Sequence, residues 1–192
     1  MSRFAGVGLC VLSLFMGACT GNKTTEPTRA ETSARTSVTD PVSGTTLAKG
    51  ASFKISFTID YAQDALTWYT VAFVRDDGVY SPPVACGGGG SSGGAFAGQP
   101  VEVAGVLGPL PTGGGVRTDS QRWGNVLYQF AKGRRVTSAV LLLKRIPSFP
   151  TTNSCEPLGT ALPSFETVPT GTVYPERADQ RVDMPLNWTI QE

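Results

Sequence analysis

The chain has 192 residues, which is enough for one domain with an N-terminal arm. Its 16 Lys and Arg residues nearly balance its 15 Asp and Glu residues, so no basic surplus is left to hold nucleic acid. The absence of histidine excludes Ser–His–Asp and Cys–His catalysis and removes the commonest zinc ligand. We therefore expect no metal, no cofactor and no nucleic-acid partner.

The N-terminus predicts export from the cytosol. Arg3 precedes an apolar run from Phe4 to Met16, which is too short for a membrane span and is typical of a secretory signal peptide. The run ends in Met16-Gly17-Ala18-Cys19, which resembles the lipobox of bacterial lipoproteins. The resemblance implies cleavage after residue 18 and acylation of Cys19. Such a lipid would attach the chain firmly to a membrane, because each buried CH₂ contributes about 0.8 kcal/mol.

The location and the first boundaries follow from this motif. In families that sort lipoproteins by the residue after the cysteine, Asp retains the protein in the inner membrane, so Thr20 favours the outer membrane of a bacterial cell envelope. The alternatives are an ordinary secretory signal with a chance cysteine, which gives a secreted or periplasmic protein, and an uncleaved anchor. We assign residues 1–18 to the signal peptide. Residues 19–38 are assigned to the lipidated cysteine and a disordered tether, because they lack apolar periodicity.

The folded domain is expected at 39–192, and its first strand carries a family resemblance. Apolar and polar residues alternate through 53–59, which predicts a strand with one buried face. The preceding pattern P-x-x-G-x-x-L-x-x-G is similar to the first unit of bacterial immunoglobulin-like modules, and it is formed by Pro41, Gly44, Leu47 and Gly50. The resemblance implies an immunoglobulin-like antiparallel β-sandwich. This strand has no cysteine, so the disulfide of antibody-type domains must lie elsewhere.

The rest of the domain is also predicted to be all-β. Residues 65–75 are apolar on both faces, which predicts a covered strand, and Asp76-Asp77-Gly78 predicts a hairpin turn. The glycine-rich stretch 81–98 is expected to be a mobile surface loop. Further strands are expected at 101–107, 123–130, 136–146 and 181–190, with a helix as the weaker alternative for 136–146. We therefore predict about seven strands, long Gly- and Pro-rich loops and no amphipathic helix.

Two cysteines remain in the body of the exported chain. Cys10 leaves with the signal and Cys19 takes the lipid, so Cys86 and Cys155 are available to form a disulfide in an oxidising compartment. Closing a loop of about 70 residues would stabilise the fold by roughly 4 kcal/mol in the loop-entropy model. The alternative is a reactive thiol pair or a metal-binding pair.

These features favour a non-catalytic, lipid-anchored binding or structural module of the cell envelope. Its partners would be the membrane, through the N-terminal lipid, and an envelope protein or glycan. The long loops 81–98 and 108–122 are the candidate contact surfaces, with Arg117, Arg122 and Trp123 as polar and aromatic contacts. The basic turn 132–135 is interpreted as a solvated turn between strands.

Two other function classes remain open. A carbohydrate-binding module would need coplanar exposed rings, and the candidates are Trp68, Tyr69, Trp123 and Tyr128. Trp68 and Trp188 are both favoured as core residues. A glycosidase would need two carboxylates about 5–10 Å apart across a cleft. The available acids are Asp60, Asp64, Glu102, Asp119, Glu166, Glu176 and Asp179.

Overall fold

The computed structural model of the chain describes residues 33–60, 66–89, 100–110, 118–150, 155–160 and 170–192. Side chains are described throughout these ranges except at 33–38 and 59–60. This part of the chain is mostly β, with eight strands in two sheets and one α-helix. The expected signal peptide, Cys19 and the tether up to residue 32 lie outside the described residues.

The two sheets differ in size and in pairing. The smaller sheet has the order β1 (Ser33–Asp40), β3 (Ser52–Asp60), β6 (Val101–Val106), and all its pairs are antiparallel. The larger sheet has the order β2 (Thr46–Leu47), β8 (Gln180–Ile190), β7 (Arg135–Arg145), β4 (Thr67–Arg75), β5 (Ala85–Gly89). The short β2 pairs with β8 in parallel, so the larger sheet is mixed rather than wholly antiparallel. The eight described strands exceed the seven or so expected.

The first strand begins earlier than the sequence indicated. Residues 33–38 were assigned to the tether because they are polar, yet they form most of β1. β1 pairs with β3 from Ser33 opposite Asp60 to Asp40 opposite Lys54. A strand at the edge of a sheet needs backbone pairing more than an apolar face, so composition alone does not reveal it.

The alternating and the doubly apolar patterns predicted strands correctly. In β3 the odd-numbered Phe53, Ile55 and Phe57 are each at most 3% exposed. Nearly all of β4 is buried, because its two faces contact two different groups of apolar side chains. The apolar stretch of β7 is a strand and not a helix, and it lies between β4 and β8.

The apolar side chains between the two sheets form what we call the inner layer. Phe53 of β3 meets two rings of the larger sheet, Phe73 and Trp188, with each pair of ring centroids 5.9 Å apart and edge-on. Trp188 is fully buried and its Nε1 donates to the backbone oxygen of Pro41, 3.2 Å away. The core position predicted for Trp188 is therefore confirmed. Pro185 of the same strand lies at an irregularity in the β7–β8 register.

A helix occupies the place where the sequence predicted a strand. Residues 119–131 form α1 (Asp119–Ala131), which corrects both the strand expected at 123–130 and the expected absence of a helix. Thr118 and Gln121 exchange side-chain-to-backbone hydrogen bonds at its N-terminus, a capping box that starts the helix. Buried Leu127 and Ala131 recur at helical spacing. The local alternation of apolar residues predicted the wrong element.

The helix lies close against the smaller sheet. A Cβ atom at Gly124 would stand 1.9 Å from the backbone oxygen of Val106, and one at Gly105 would stand 2.8 Å from that of Ser120. At the other end of the helix, Arg75 Nη1 donates to the backbone oxygen of Phe130 across 3.1 Å. The helix thus spans from β6 to β4 and closes one side of the inner layer.

The glycine-rich stretch starts as a strand. Residues 85–89 form β5 and pair with β4, which corrects the surface loop expected over all of 81–98. Aromatic side chains cover the glycines, since a Cβ at Gly87 would meet the ring of Tyr69 at 2.8 Å, and one at Gly88 would meet Phe149 at 2.4 Å. Glycine fits this strand because neighbouring rings occupy the space of its side chains. Residues 90–98 of the expected loop lie outside the described residues.

A second apolar group covers the opposite face of the larger sheet. We call this group the outer layer, and it consists of Trp68, Ala72, Val74, Val140, Leu142, Leu158 and Val173. Leu158 and Val173 belong to a segment, here named the cap, that comprises residues 155–160 and 170–174. The cap is joined within itself by the Gly159–Val173 bridge and by the Tyr174 amide, which donates to the Leu158 oxygen across 2.9 Å.

The cap carries the second cysteine. Cys155 is fully buried and forms a disulfide with Cys86 of β5, with the two Cα atoms 5.5 Å apart. The indole nitrogen of Trp68 donates to the backbone oxygen of Cys155, 3.3 Å away. The predicted pairing of Cys86 with Cys155 is present, and Trp68 is 8% exposed in the layer beneath.

Candidate functional site

Several elements begin or end at one end of the larger sheet, which we call the loop end. Thr67 begins β4 and lies opposite both Gly89, where β5 ends, and Arg145, where β7 ends. Gln180, where β8 begins, lies opposite Leu143 on the next strand. The helix also begins here, because Phe130, the residue before its last, is held by Arg75 at the other end of β4. Polar side chains at this end are therefore the candidates for contacts with a ligand or partner.

The start of α1 supplies a charged pair to the loop end. Asp119 and Arg122 form an ion pair of 3.1 Å, one turn apart on the helix. The Asp119 side chain is 58% exposed, whereas the Arg122 side chain is 14% exposed. An acidic residue in the first turn is favourable because it lies at the positive end of the helix dipole. The pair presents a carboxylate to solvent and keeps the guanidinium against the protein.

Tyr69 of β4 lies near the Asp119 carboxylate of this pair. It projects from β4 between Thr67 and Val71, contacts the inner layer, and its ring lies against the backbone of Gly87. Burial raises the pKa of the Tyr69 hydroxyl above its usual value of 10.0, and the negative charge of Asp119 raises it further. Both effects favour the neutral phenol, so Tyr69 presents a hydrogen-bonding hydroxyl rather than a phenolate.

Trp123 is the aromatic residue of the helix at this end. Its ring is half-buried and packs on the inner layer. Its Nε1 is buried without a hydrogen-bond partner. A buried indole N–H without a partner is uncommon in folded proteins and draws attention to its surroundings. Trp123 therefore contributes a partly exposed aromatic surface to the loop end, while its N–H stays buried.

The structure brings together two of the three contact residues predicted from the sequence. Arg122 and Trp123 are neighbours in the first turns of α1, on a helix rather than on the loop 108–122 that was expected to present them. Arg117 lies outside the described residues, as does the lipidation candidate Cys19. Tyr69 was predicted only as a candidate for sugar stacking, and the Thr118-x-x-Gln121 capping pattern is the signal that could have placed a helix near it.

The basic turn lies at the other end of the sheets. Arg134 Nη2 is 2.8 Å from Asp76 and 3.2 Å from Asp77, and Arg75 forms a two-bond fork with Asp77. The pKa of Asp77 lies below its usual range because Arg75 donates to this carboxylate. Gly78 has a φ of 79° in the predicted hairpin turn between these acids and Val79. Asp76 and Asp77 therefore pair with Arg75 and Arg134 at this end of the larger sheet.

Three of the four described carboxylates proposed for glycosidase chemistry are engaged with basic groups or with the backbone. Glu102 lies 2.7 Å from Lys54, Asp119 pairs with Arg122, and Asp179 accepts from the Arg145 amide across 2.7 Å. Glu176 is exposed in the short 3₁₀ helix Pro175–Arg177. Asp64 and Glu166 lie outside the described residues, as does the side chain of Asp60.

Three of the four rings proposed for carbohydrate stacking are half-buried, and the fourth is buried. Tyr69, Trp123 and Tyr128 all pack against the inner layer. Trp68 is held between the larger sheet and the cap. A surface for stacking a sugar would therefore have to use the exposed parts of Tyr69, Trp123 and Tyr128.

Among the described residues, no group of three or more Cys, Asp or Glu side chains is placed to hold a metal ion. In the same part of the chain, no helix has the length and apolar character needed to cross a bilayer. Comparison with protein-family models, curated proteins and solved structures gave no match for this chain.

Proposed function

We propose that this protein is a non-catalytic binding or structural module of the bacterial cell envelope, anchored by lipid on Cys19. The observation that carries the proposal is the disulfide between Cys86 and Cys155. Disulfides persist in oxidising compartments, which is where the export signal would deliver the chain. The sequence Met16-Gly17-Ala18-Cys19 then supplies the anchor, and Thr20 favours the outer membrane.

The body of the module is proposed to be an immunoglobulin-like β-sandwich. Two packed sheets and the sequence pattern from Pro41 to Gly50 support this assignment. In such modules the loops at one end are commonly used for binding, because the sheets hold them without taking part. We assign contact with an envelope protein to the loop end, with Arg122 and Trp123 on the helix as the contact residues.

Anchoring is tested by mass spectrometry of the protein purified from bacterial membranes. We expect a mature chain that begins at Cys19 and carries two or three acyl chains. The Cys19→Ser variant should keep its signal peptide or appear in the soluble fraction, whereas Cys10→Ser should behave as the parent. An unmodified Cys19 in the parent protein would refute the lipid anchor.

Contact through the loop end is tested by crosslinking in the envelope. A photoreactive amino acid at Ser120, one helical turn before Trp123, should give a discrete adduct with a protein, and Trp123→Ala should weaken that adduct at least tenfold. The same group at Lys132, which follows the far end of the helix, serves as the matched control. Equal adducts from the two positions would place the contact elsewhere.

A carbohydrate-binding module is the second candidate, and Trp123 is the observation that favours it. Its half-buried ring offers a partly exposed aromatic face on which a sugar could stack. Sedimentation with insoluble envelope glycan distinguishes the two candidates. Binding to purified glycan that Trp123→Ala abolishes would favour the carbohydrate candidate over a protein partner.

A further inference from the structure

The cap is attached to the larger sheet at few points. Among the described residues, the indole of Trp68 links the sheet to the cap through its hydrogen bond to the Cys155 backbone oxygen. Leu158 and Val173 add apolar contacts with the outer layer, and the disulfide adds the covalent link. The sheet itself is held by continuous backbone pairing from β8 to β5 and does not depend on the cap.

The two sulfur atoms differ in their surroundings. Cys155 is fully buried in the cap, whereas Cys86 is half-buried on β5, the outermost described strand of the larger sheet. A thiolate that attacks a disulfide must approach one sulfur directly, and access decides which sulfur is attacked. The geometry therefore makes Cys86 the point of attack and Cys155 the leaving group.

A buried hydroxyl lies beside this disulfide. Thr70 is directly opposite Cys86 in the β4–β5 register, so the two side chains share a face of the sheet. Thr70 is fully buried, and its Oγ1 has no hydrogen-bond partner. A disulfide sulfur accepts hydrogen bonds weakly, whereas a thiolate accepts them strongly, so reduction would give the Thr70 hydroxyl a partner.

We propose that the Cys86–Cys155 disulfide is a reducible latch and that Cys86 is a site of thiol–disulfide exchange with dithiols. The thiolate of the dithiol attacks Cys86 Sγ, the Cys86–Cys155 bond breaks, and Cys155 leaves as a thiolate that takes up a proton. The second thiol of the dithiol then attacks the mixed disulfide and releases Cys86. Overall, the protein gains two electrons and one proton, and Cys86 stays a thiolate that accepts from the Thr70 hydroxyl. The dithiol becomes a disulfide, and its second proton passes to solvent.

Opening the latch has a structural consequence. Without the covalent link, the cap moves off the sheet and exposes the outer-layer side chains of the strands, including Trp68, Ala72 and Leu142. The inner layer and both sheets stay folded because their pairing does not involve the cap. This inference is independent of the lipid anchor and of the loop-end contact, since it concerns the opposite face of the larger sheet.

Hydrogen exchange read by mass spectrometry tests the latch on the full mature chain. Treatment with a dithiol such as dithiothreitol should remove the protection of the cap amides, whereas the amides of β3 and β7 should stay at least a hundredfold better protected than those of the cap. Exchange in β3 and β7 should itself become faster, because loss of the cross-link lowers the free energy of unfolding. Reduction that removes the protection of the strands as well as that of the cap would show that the disulfide supports the whole fold and would overturn the proposal. So would reduction that leaves exchange in the cap unchanged.

The role of Thr70 is tested by equilibrium with mixtures of reduced and oxidised dithiol. Thr70→Val should shift the equilibrium toward the disulfide by at least fivefold, and Thr70→Ser should restore the parent value. Thr67→Val is the matched control, because Thr67 has the same buried, unpartnered hydroxyl but lies opposite Gly89, away from the cysteines. Equal shifts for the two valine variants would overturn the positioning role of Thr70.

Discussion

The inner and outer layers lie on the two faces of the larger sheet, yet they are held in place differently. The inner layer is enclosed by strands of both sheets and by α1, so backbone hydrogen bonds fix every element around it. The outer layer is covered by the cap, which depends on the disulfide and on a small number of side-chain contacts. Equal burial on the two faces therefore does not imply equal resistance to opening.

The largest expected effect comes from the two buried tryptophans, one in each layer. Trp188→Ala should lower the free energy of unfolding by about 4 kcal/mol. It leaves a cavity beside Phe53 and Phe73, and these rings cannot move in to fill it because they lie on paired strands. Trp68→Ala should cost roughly half as much, because the cap can settle into the space. Urea denaturation of both variants measures the difference. Equal losses would mean that the cap is as rigid as the sheets.

The next effect concerns the closing helix. Gly124→Ala should lower the free energy of unfolding by about 3 kcal/mol, because the new methyl group would collide with the Val106 backbone oxygen. This cost exceeds the gain of roughly 1 kcal/mol from the higher helix propensity of alanine. Gln129→Ala is the control, a half-buried position of the same helix, and should change stability by less than about 0.5 kcal/mol. A stable Gly124→Ala variant would mean that α1 does not seal the inner layer as described.

A matched pair of leucines sharpens the comparison further. Leu158 of the cap and Leu186 of β8 are both fully buried, one in each layer. Leu186→Ala should cost about 3 kcal/mol, whereas Leu158→Ala should cost about 2 kcal/mol or less. Hydrogen exchange should show the Leu158 effect within the cap alone. If the Leu158 variant instead speeds exchange in β3, the two layers are coupled more tightly than their contacts suggest.

The sequence predicted the elements that depend on their own side-chain pattern. The alternation in 53–59 reflects a strand with one buried face, and the apolar residues of β4 reflect a strand with two. Both stretches form strands in the structure. The pairing of Cys86 with Cys155 was predicted by elimination among four cysteines. What the pattern could not show is that β4 separates two distinct layers, because periodicity does not reveal what covers a face.

The elements that sequence reasoning missed depend on distant partners. β5 consists mostly of glycine, and it is a strand because rings from residues 68, 69 and 149 cover it. The start of α1 was predicted as part of a loop and the rest as a strand, although Thr118 and Gln121 form a capping box. Arg122 and Trp123 of the candidate site were predicted as contact residues from the sequence. Their place on the first turns of a helix could not be predicted, because residues 108–122 and 123–130 were expected to form a loop and a strand.

The smallest expected effect tests the electrostatics of the loop end. Asp119→Asn should lower the pKa of Tyr69 but leave it above 10.0, because burial is the larger of its two causes. Because its pKa is raised, folding favours the neutral phenol of Tyr69. The resulting contribution to stability is complete at a pH below the pKa of the unfolded chain, and it is lost as the pH rises through the pKa of the folded protein. Alkaline destabilisation should therefore be weaker in the variant. Ultraviolet absorbance follows the titration, and a Tyr69→Phe variant identifies the signal. An unchanged pKa of Tyr69 in the Asp119→Asn variant would show that the charge at the start of the helix does not act on Tyr69.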